Sequence, residues 1–327
     1  MLLHPQARSQ MLTVLLATRN RAAILRGTLE AFCLLQQPSS GWKMVIVDNG
    51  SADQTSAVLA SFANRLPLQT VSEPTGGKNS ALNAGLGFVE GDLAVFADDD
   101  VFPHADWLVE LRKAADSRPA YSVFGGAVVP RWESPPPPWV EWVEQGPVYT
   151  LSDPRMKEGP IPPHSVLGPN MAIRTAVFQP GVRFDASIGP RRSSYPMGSE
   201  TELSWRLYRQ GYEPWYVPSA IVEHFIRDDQ MRKSWVLRRA IRYGRGRFRL
   251  RDLEGSGAPW IVMPQWFGVP RRFFREIVEE QVRIIGAWLT SNEREMFSAR
   301  WKRNYAWGHV VEARASQLGR KGMAPVK

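Results

Sequence analysis

Residues 91–100 read Gly-Asp-Leu-Ala-Val-Phe-Ala-Asp-Asp-Asp, a short apolar run that ends in three carboxylates, Asp98, Asp99 and Asp100. Leu93-Ala94-Val95-Phe96-Ala97 shows no polar alternation, the pattern of a strand buried on both faces of a parallel sheet. Three adjacent carboxylates at its end repel one another unless a cation sits among them. Oxygen donors of this kind suit a hard divalent ion such as Mg2+ or Mn2+. The plainer alternative is a solvated acidic turn in which Asp98 or Asp100 caps the next helix. The rest of the chain decides between the two.

Upstream, residues 11–17 (MLTVLLA) form a β-run that ends at Thr18-Arg19-Asn20, and a helical pattern follows with Ile24, Leu25, Leu29, Phe32 and Leu35 on one face. Residues 43–48 (KMVIVD) predict a second strand that runs into the turn Asp48-Asn49-Gly50-Ser51, with Asp53 as N-cap of a helix to Phe62. Residues 68–71 read as a third strand, and Gly76-Gly77 breaks the chain before a helix carrying Asn79, Leu82, Asn83 and Leu86. Downstream come a helix with Trp107, Leu108 and Leu111 and a strand over 121–129. Strands alternating with helices predict a parallel α/β sheet. Ligands bind such sheets beyond the carboxyl ends of the strands. The first turn, the second turn and the carboxylates all fall at such ends, so one nucleotide-type crevice would gather them. The Gly-x-Gly-x-x-Gly dinucleotide turn is missing after the first strand, and there is no Walker phosphate loop.

Between 130 and 169 the composition changes. Pro135-Pro136-Pro137-Pro138 stands among Trp132, Trp139 and Trp142, and further prolines follow, which excludes long regular elements. These tryptophans suit either a sugar-stacking platform or plain packing, and the sequence leaves both open. Residues 198–209 (GSETELSWRLYR) then open a helix with Ser199 as cap and Glu200 and Glu202 in the first turn, where the helix dipole favours negative charge. A strand over 213–217 and an apolar run ending at His224 follow. Helices over 231–243 and 271–289, rich in Arg with Trp and Phe interleaved, read either as packing or as a basic amphipathic surface for a membrane.

The net charge of +9 is unevenly spread. From Arg227 onward there are 22 basic and 10 acidic residues, whereas 1–226 are at −3. A basic segment of this kind points to anionic lipid headgroups, nucleic acid or an anionic substrate. No zinc-ligand spacing or aromatic RNA-reading motif supports nucleic acid. The single cysteine, Cys33, excludes an intramolecular disulfide and fits a reducing compartment. Neither a leader-like N-terminus nor a window of about 18 apolar residues is present.

Taken in order, Ala17-Thr18-Arg19-Asn20, Val47-Asp48-Asn49-Gly50-Ser51, Lys78-Asn79 with Asn83-Ala84-Gly85, Asp98-Asp99-Asp100, Gly168-Pro169-Asn170, Gly198-Ser199-Glu200 with Glu202, and Pro218 with His224 resemble the family 2 inverting glycosyltransferases of the GT-A fold. The resemblance covers about residues 11–250. It implies an α/β fold: a Rossmann-like, mostly parallel sheet flanked by helices, with a helical basic C-terminal extension. The expected division is a transferase domain over 1–226, with a nucleotide-binding half (11–129) and an acceptor and catalytic half (130–226), and a helical region over 227–327.

By the same resemblance Thr18, Arg19, Asn20, Asp48, Asn49 and Lys78 hold the nucleotide of a UDP-, GDP- or dTDP-linked sugar, together with Asp98 and Asp99. Asp100 and His224 hold Mn2+ or Mg2+. Glu200 is the expected catalytic base, and Trp132, Trp139, Asn170 and Glu202 line the acceptor. Where many members carry Asp-Asp-Gly-Ser, this chain has Asn49, so base recognition would use an amide. The usual Glu-Asp pair is Ser199-Glu200 here, which leaves the choice between Glu200 and Glu202 open.

The implied enzyme is cytoplasmic or peripheral at the inner face of the cell membrane, and transfers sugar to a glycan or lipid-linked acceptor in surface polysaccharide or glycolipid synthesis. Two other readings stand beside it. A sugar nucleotidyltransferase would open with a Gly-rich phosphate loop, which Thr18-Arg19-Asn20-Arg21-Ala22 is not. A non-catalytic carbohydrate-binding or scaffold protein would have no need of Asp98, Asp100, Glu200 and His224 together.

Overall fold

The computed structural model describes residues 10–191, 195–255 and 263–321. In chain order the first elements are β1 (Leu12–Thr18), α1 (Ala22–Phe32), β2 (Trp42–Asp48), α2 (Thr55–Phe62), β3 (Leu68–Ser72), α3 (Lys78–Gly85), β4 (Leu93–Phe96), β5 (Val101–Pro103) and α4 (Trp107–Ser117). Then come β6 (Val123–Trp132), α5 (Gln145–Tyr149), β7 (Gly159–Pro160), β8 (Met171–Arg174), α6 (Ser199–Arg209) and β9 (Pro214–Ile226). The last elements are α7 (Lys233–Glu254), β10 (Gln265–Trp266), β11 (Val269–Pro270), α8 (Arg271–Leu289) and α9 (Glu293–Lys321).

The chain forms two compact units, one of residues up to 131, 150–187 and 199–225, the other of 132–149, 188–198 and 226 onward. The first holds nearly all of a nine-stranded sheet in the order β3-β2-β1-β4-β8-β6-β9-β5, with β7 paired to β9. β3, β2, β1 and β4 run parallel, with Thr18 opposite Asp48 and Asp48 opposite Ser72. All four residues of β4 are buried, which explains its unbroken apolar sequence. Its Phe96 packs edge-on against Phe178 and Phe184, with centroids 6.0 and 5.3 Å away. Burying side chains of this size contributes about 1.5–3 kcal/mol each, so the strand that ends in the carboxylates is well anchored.

Beyond β4 the sheet becomes mixed: β8 runs antiparallel to both β4 and β6, and β5 runs antiparallel to β9. The expected strand over 213–217 and the apolar run to His224 are one 13-residue strand, β9. Pro218, which cannot donate to a ladder, falls between the stretch paired with β7 (Trp215, Tyr216) and the stretch paired with β5 (residues 222–224). β5, three residues long, was not foreseen.

In the second unit α7 runs eleven residues beyond the expected end at Tyr243, α8 matches the expectation, and α9 is an additional helix. α7 and α9 pack closely: a Cβ on Gly244 would lie 2.1 Å from the Tyr305 carbonyl oxygen, and one on Gly308 2.3 Å from that of Ile241. Inside this pair the fully buried Glu312 accepts from the Arg245 guanidinium at 2.8 Å and also from Arg249. The proline-rich segment is mostly irregular, as its composition dictates, and holds only short elements: 3-10 turns over Pro138–Trp142 and Pro163–Ser165, the five-residue α5 and the two-residue β7.

Candidate functional site

The parallel strands deliver three turns to one end of the sheet. In the first, Asn20 adopts a left-handed conformation (φ 50°) and reaches the second turn: Ser51 Oγ accepts its N–H at 3.0 Å, and its Oδ1 accepts the Ala52 N–H at 2.7 Å. Asp48, at the end of β2, accepts the Ser51 N–H (2.9 Å) and the Ser56 hydroxyl (3.1 Å). Asp53 lies just before α2 and bridges two helix starts, accepting from the Thr55 N–H (3.0 Å) and the Ala22 N–H (3.2 Å).

Asn49 is buried and its amide is committed to the chain. Nδ2 donates to the Glu73 and Thr75 carbonyls at 2.8 and 2.7 Å, and Oδ1 accepts the Gly77 N–H at 2.8 Å. It therefore shapes the loop before α3, where the sequence expectation had its amide reading a base. The half-exposed Arg19 lies beside this loop, its guanidinium 3.6 Å from where a Cβ on Gly76 would stand.

The three aspartates diverge. Asp99 turns inward, accepting the Thr18 hydroxyl at 2.7 Å, while its own carbonyl accepts the buried Thr28 hydroxyl at 3.0 Å. Burial, reinforced by Asp100 and opposed by Arg21 and the Thr18 bond, pushes its carboxyl up to about 7. Asp100 meets Arg21 at 3.6 Å and His224 Nε2 at 3.5 Å, because β5 sets Val101 opposite His224 on β9. Asp98 keeps 24% of its side chain exposed and receives Lys78 Nζ at 2.5 Å. Its carboxyl is raised by burial and by Asp100 and Glu200, against the pull of Lys78.

The same Lys78 ammonium donates at 2.8 Å to Glu200 Oε1, 122 residues further along the chain, and so joins the end of β4 to the first turn of α6. Burial alone would lower the Lys78 pKa, but Asp98 and Glu200 outweigh it and hold it above the ordinary lysine value. Gly168 makes room for this contact: a Cβ there would stand 2.3 Å from Glu200 Oε1. Glu202, two positions on along the helix, looks elsewhere and takes a bidentate pair from Arg206 at 2.5 and 2.9 Å. Geometry thus brings Glu200, and not Glu202, to the aspartates.

Asn170 is fully buried, accepting Trp107 Nε1 at 2.8 Å and donating to the Ala127 and Ala220 carbonyls at 2.8 Å each. All its amide groups are spent on tying together α4, β6 and β9. Trp132 and Trp139 are half-buried, Trp132 edge-on to Tyr149 (5.3 Å) and Trp139 edge-on to Phe297 of α9 (5.4 Å). The packing alternative accounts for both rings. Gly168 stood in the Gly168-Pro169-Asn170 motif without a role of its own, and residues that the motifs did not single out include Arg21, Thr28 and Ser56. Only Arg21, next to the first-turn motif, carried a signal in the sequence.

Among the described residues no three Asp, Glu, His or Cys side chains converge tightly enough to cage an ion. Mg2+ and similar hard ions need no cage: one or two carboxylates suffice when substrate phosphates and waters complete the shell. Buried Asp100 with His224 beside it, next to two carboxyls whose pKa values are raised, is a donor set that fits such an ion.

Residues 13–179 match the family model described as glycosyl transferase family 2. A probable glycosyltransferase of Bacillus subtilis (strain 168), YdaM, is 25% identical over 248 residues, covering 72% of this chain and 54% of its own length. The pre-mycofactocin glycosyltransferase of Mycobacterium tuberculosis (strain ATCC 25618 / H37Rv) is 28% identical over 255 residues, covering 76% of this chain and 47% of its own. The chain thus spans about half the length of these curated relatives. Among solved structures, the mannosyltransferase PcManGT from Pyrobaculum calidifontis, in complex with GDP-Man and Mn2+, superposes with a TM-score of 0.54 at 17% identity, covering 97% of this chain and 80% of that one. Identity that low speaks for the fold alone, which is GT-A-like. With half of its residues inside the family model and the sheet the family implies, the chain belongs to glycosyl transferase family 2.

Proposed function

We propose that the protein is a metal-dependent, inverting glycosyltransferase of the hexosyl type, which moves a sugar from a nucleoside-diphosphate donor to a glycan or lipid-linked acceptor. The observation that carries this reading is the ion-paired chain Asp98–Lys78–Glu200 beside Asp100 and His224, at the carboxyl ends of the strands. A nucleotide would lie along the turns at Thr18, Arg19, Asn20 and Asp48, with Asn49 setting the shape of the loop over it. Asp98 and Asp99 would face or brace the ribose, and Asp100 with His224 would hold Mn2+ or Mg2+. When bound, such an ion would neutralise charge on the departing diphosphate.

The Glu200 carboxylate takes the proton of the acceptor hydroxyl as that oxygen bonds to the anomeric carbon. The carbon–phosphate-oxygen bond breaks with its electron pair leaving on the diphosphate, so one displacement inverts the centre and needs no enzyme nucleophile. Lys78, donating to Glu200 Oε1 at 2.8 Å, fixes where that carboxylate stands. Among the described residues no helix is long and apolar enough to cross a membrane, and we place the enzyme peripherally, in surface polysaccharide or glycolipid synthesis.

The test is isothermal titration of UDP, GDP and dTDP, with and without Mn2+, on wild type and Asp100→Ala. Binding that strengthens with Mn2+ and loses that gain in the variant is expected. No binding of any of the three nucleotides under either condition would overturn the reading.

A further inference from the structure

Among the described residues eleven large hydrophobic side chains are exposed, and seven of them fall within residues 266–289. They form one face. Val278, Val282, Ile285 and Leu289, between 50% and 70% exposed, recur at spacings of four, three and four along α8. The opposite side of that helix buries Phe273, Ile284 and Ala287. A helix that is apolar on both sides has used one of them for its own core and keeps the other for something else.

The hairpin before α8 extends the same face. Trp266 lies 6.1 Å from the ring of Phe274 and under the Arg271 guanidinium at 5.4 Å, and 271, 274 and 278 are successive positions on the outward side. Phe267 stands at the hairpin tip, 87% exposed and in a left-handed conformation (φ 50°) that an aromatic residue adopts only at a cost. Nothing in the hairpin's own packing asks for an exposed phenyl ring there.

We infer that the 265–289 hairpin and helix form a docking surface for an anionic lipid leaflet. Three features favour a lipid surface over a second protein. The face is the exposed side of a single helix, which a fluid surface follows and a rigid partner must match. Indoles stand near both of its ends, Trp266 and Trp288, as they do where rings sit at headgroup level. Its hairpin end carries exposed Arg271 and Arg275, in a region that is net +12 from residue 227 onward. Glu279 borders this face, ion-paired to Arg275 at 3.3 Å, while Glu280 is paired to Arg283 at 3.0 Å. This lipid surface is distinct from the arginines of α7, several of which are spent on Glu312 and Glu254.

The surface deepens the proposed function by naming what holds the enzyme near a lipid-linked acceptor. Vesicle binding is measured without nucleotide, so it can fail while nucleotide binding stands, or the reverse. The experiment is co-sedimentation with phosphatidylglycerol/phosphatidylcholine vesicles and with phosphatidylcholine alone, for wild type and the double variant Phe267→Ser, Ile285→Ser. Both side chains are exposed, and unchanged thermal melting shows that the variant folds. Binding to the anionic vesicles is expected to weaken at high salt and to fall about 10²-fold in the variant, because it loses two inserted apolar side chains. Wild type that stays in the supernatant at low salt, or a variant that sediments like wild type, overturns the inference. A wild-type dimer that ignores vesicles and dissociates in the variant would assign the face to a second copy instead.

Discussion

Each unit gathers buried charge, and the two clusters are close to inverse images. In the α/β unit Asp98, Asp99, Asp100 and Glu200 crowd together with Lys78 and Arg21 among them. In the helical unit Arg245 and Arg249 close on Glu312, which is wholly buried, and Arg247 closes on Glu254. The helical cluster surrounds its two buried carboxylates with arginines, of which Arg247 and Arg249 keep 30% and 28% of their side chains exposed. The α/β cluster packs like charges side by side, so that Asp98 and Asp99 hold their protons more readily than free carboxyls, and leaves Asp98 partly open. Carboxylates ringed by opposite charge are a part of the architecture. Carboxylates crowded against one another, as Asp98, Asp99 and Asp100 are, suit a cation that the chain does not itself supply.

That contrast can be broken most directly at Glu200. Glu200→Gln keeps the shape and removes the base, so turnover should fall about 10²–10⁴-fold while the melting temperature stays near that of wild type. Unchanged turnover would take the role from Glu200. Glu312→Ala should do the reverse, leaving the partly buried Arg245 and Arg249 facing each other at a cost of about 3–5 kcal/mol in urea unfolding, with nucleotide affinity intact. A loss below about 1 kcal/mol would show the helical cluster to be more open than its geometry implies.

A third test is acid. Burial among Phe248, Phe273 and Tyr305, helped by the charges of Arg272, Arg251 and Arg247, lowers His309 from 6.5 to about 4. The unfolded chain therefore binds this proton more readily than the folded one. The His309 contribution is full above pH 6.5 and is lost as pH falls towards 4, about 3 kcal/mol in all. In His309→Gln that part of the acid sensitivity should disappear from a pH series of urea midpoints. The smallest effect is expected from Glu202→Gln, which disturbs a pair with Arg206 and should change turnover less than about tenfold. A fall like that of Glu200→Gln would move the base to Glu202.

Much of the α/β unit was legible because buried parallel strands must be apolar throughout and their turns must be polar. β1, β2 and β4 and the residues at their carboxyl ends followed from that alone. β5 was not, since three residues after a carboxylate triplet carry no period. β9 read as two pieces because Pro218 looks like a break, while the structure sets it between two pairings. α9 escaped because its inward positions are small or charged, among them Ala299, Ala306, Ala313 and Glu312, and so lack an apolar stripe. Within the site, carboxylates announce themselves, whereas Asn49 and Asn170 do not. An amide in a motif can face a ligand or spend its bonds on its own chain, and only coordinates show which.

Gly168 has a consequence for how such a protein changes over time. Its missing side chain, not any feature of α6, leaves the space in which Glu200 Oε1 sits. An alanine there would spare every acid and base of the site, and still displace the carboxylate proposed to take the proton. Proteins of this construction can therefore fall silent with every carboxylate, lysine and histidine of the site in place, and a census of those side chains would go on counting them as active.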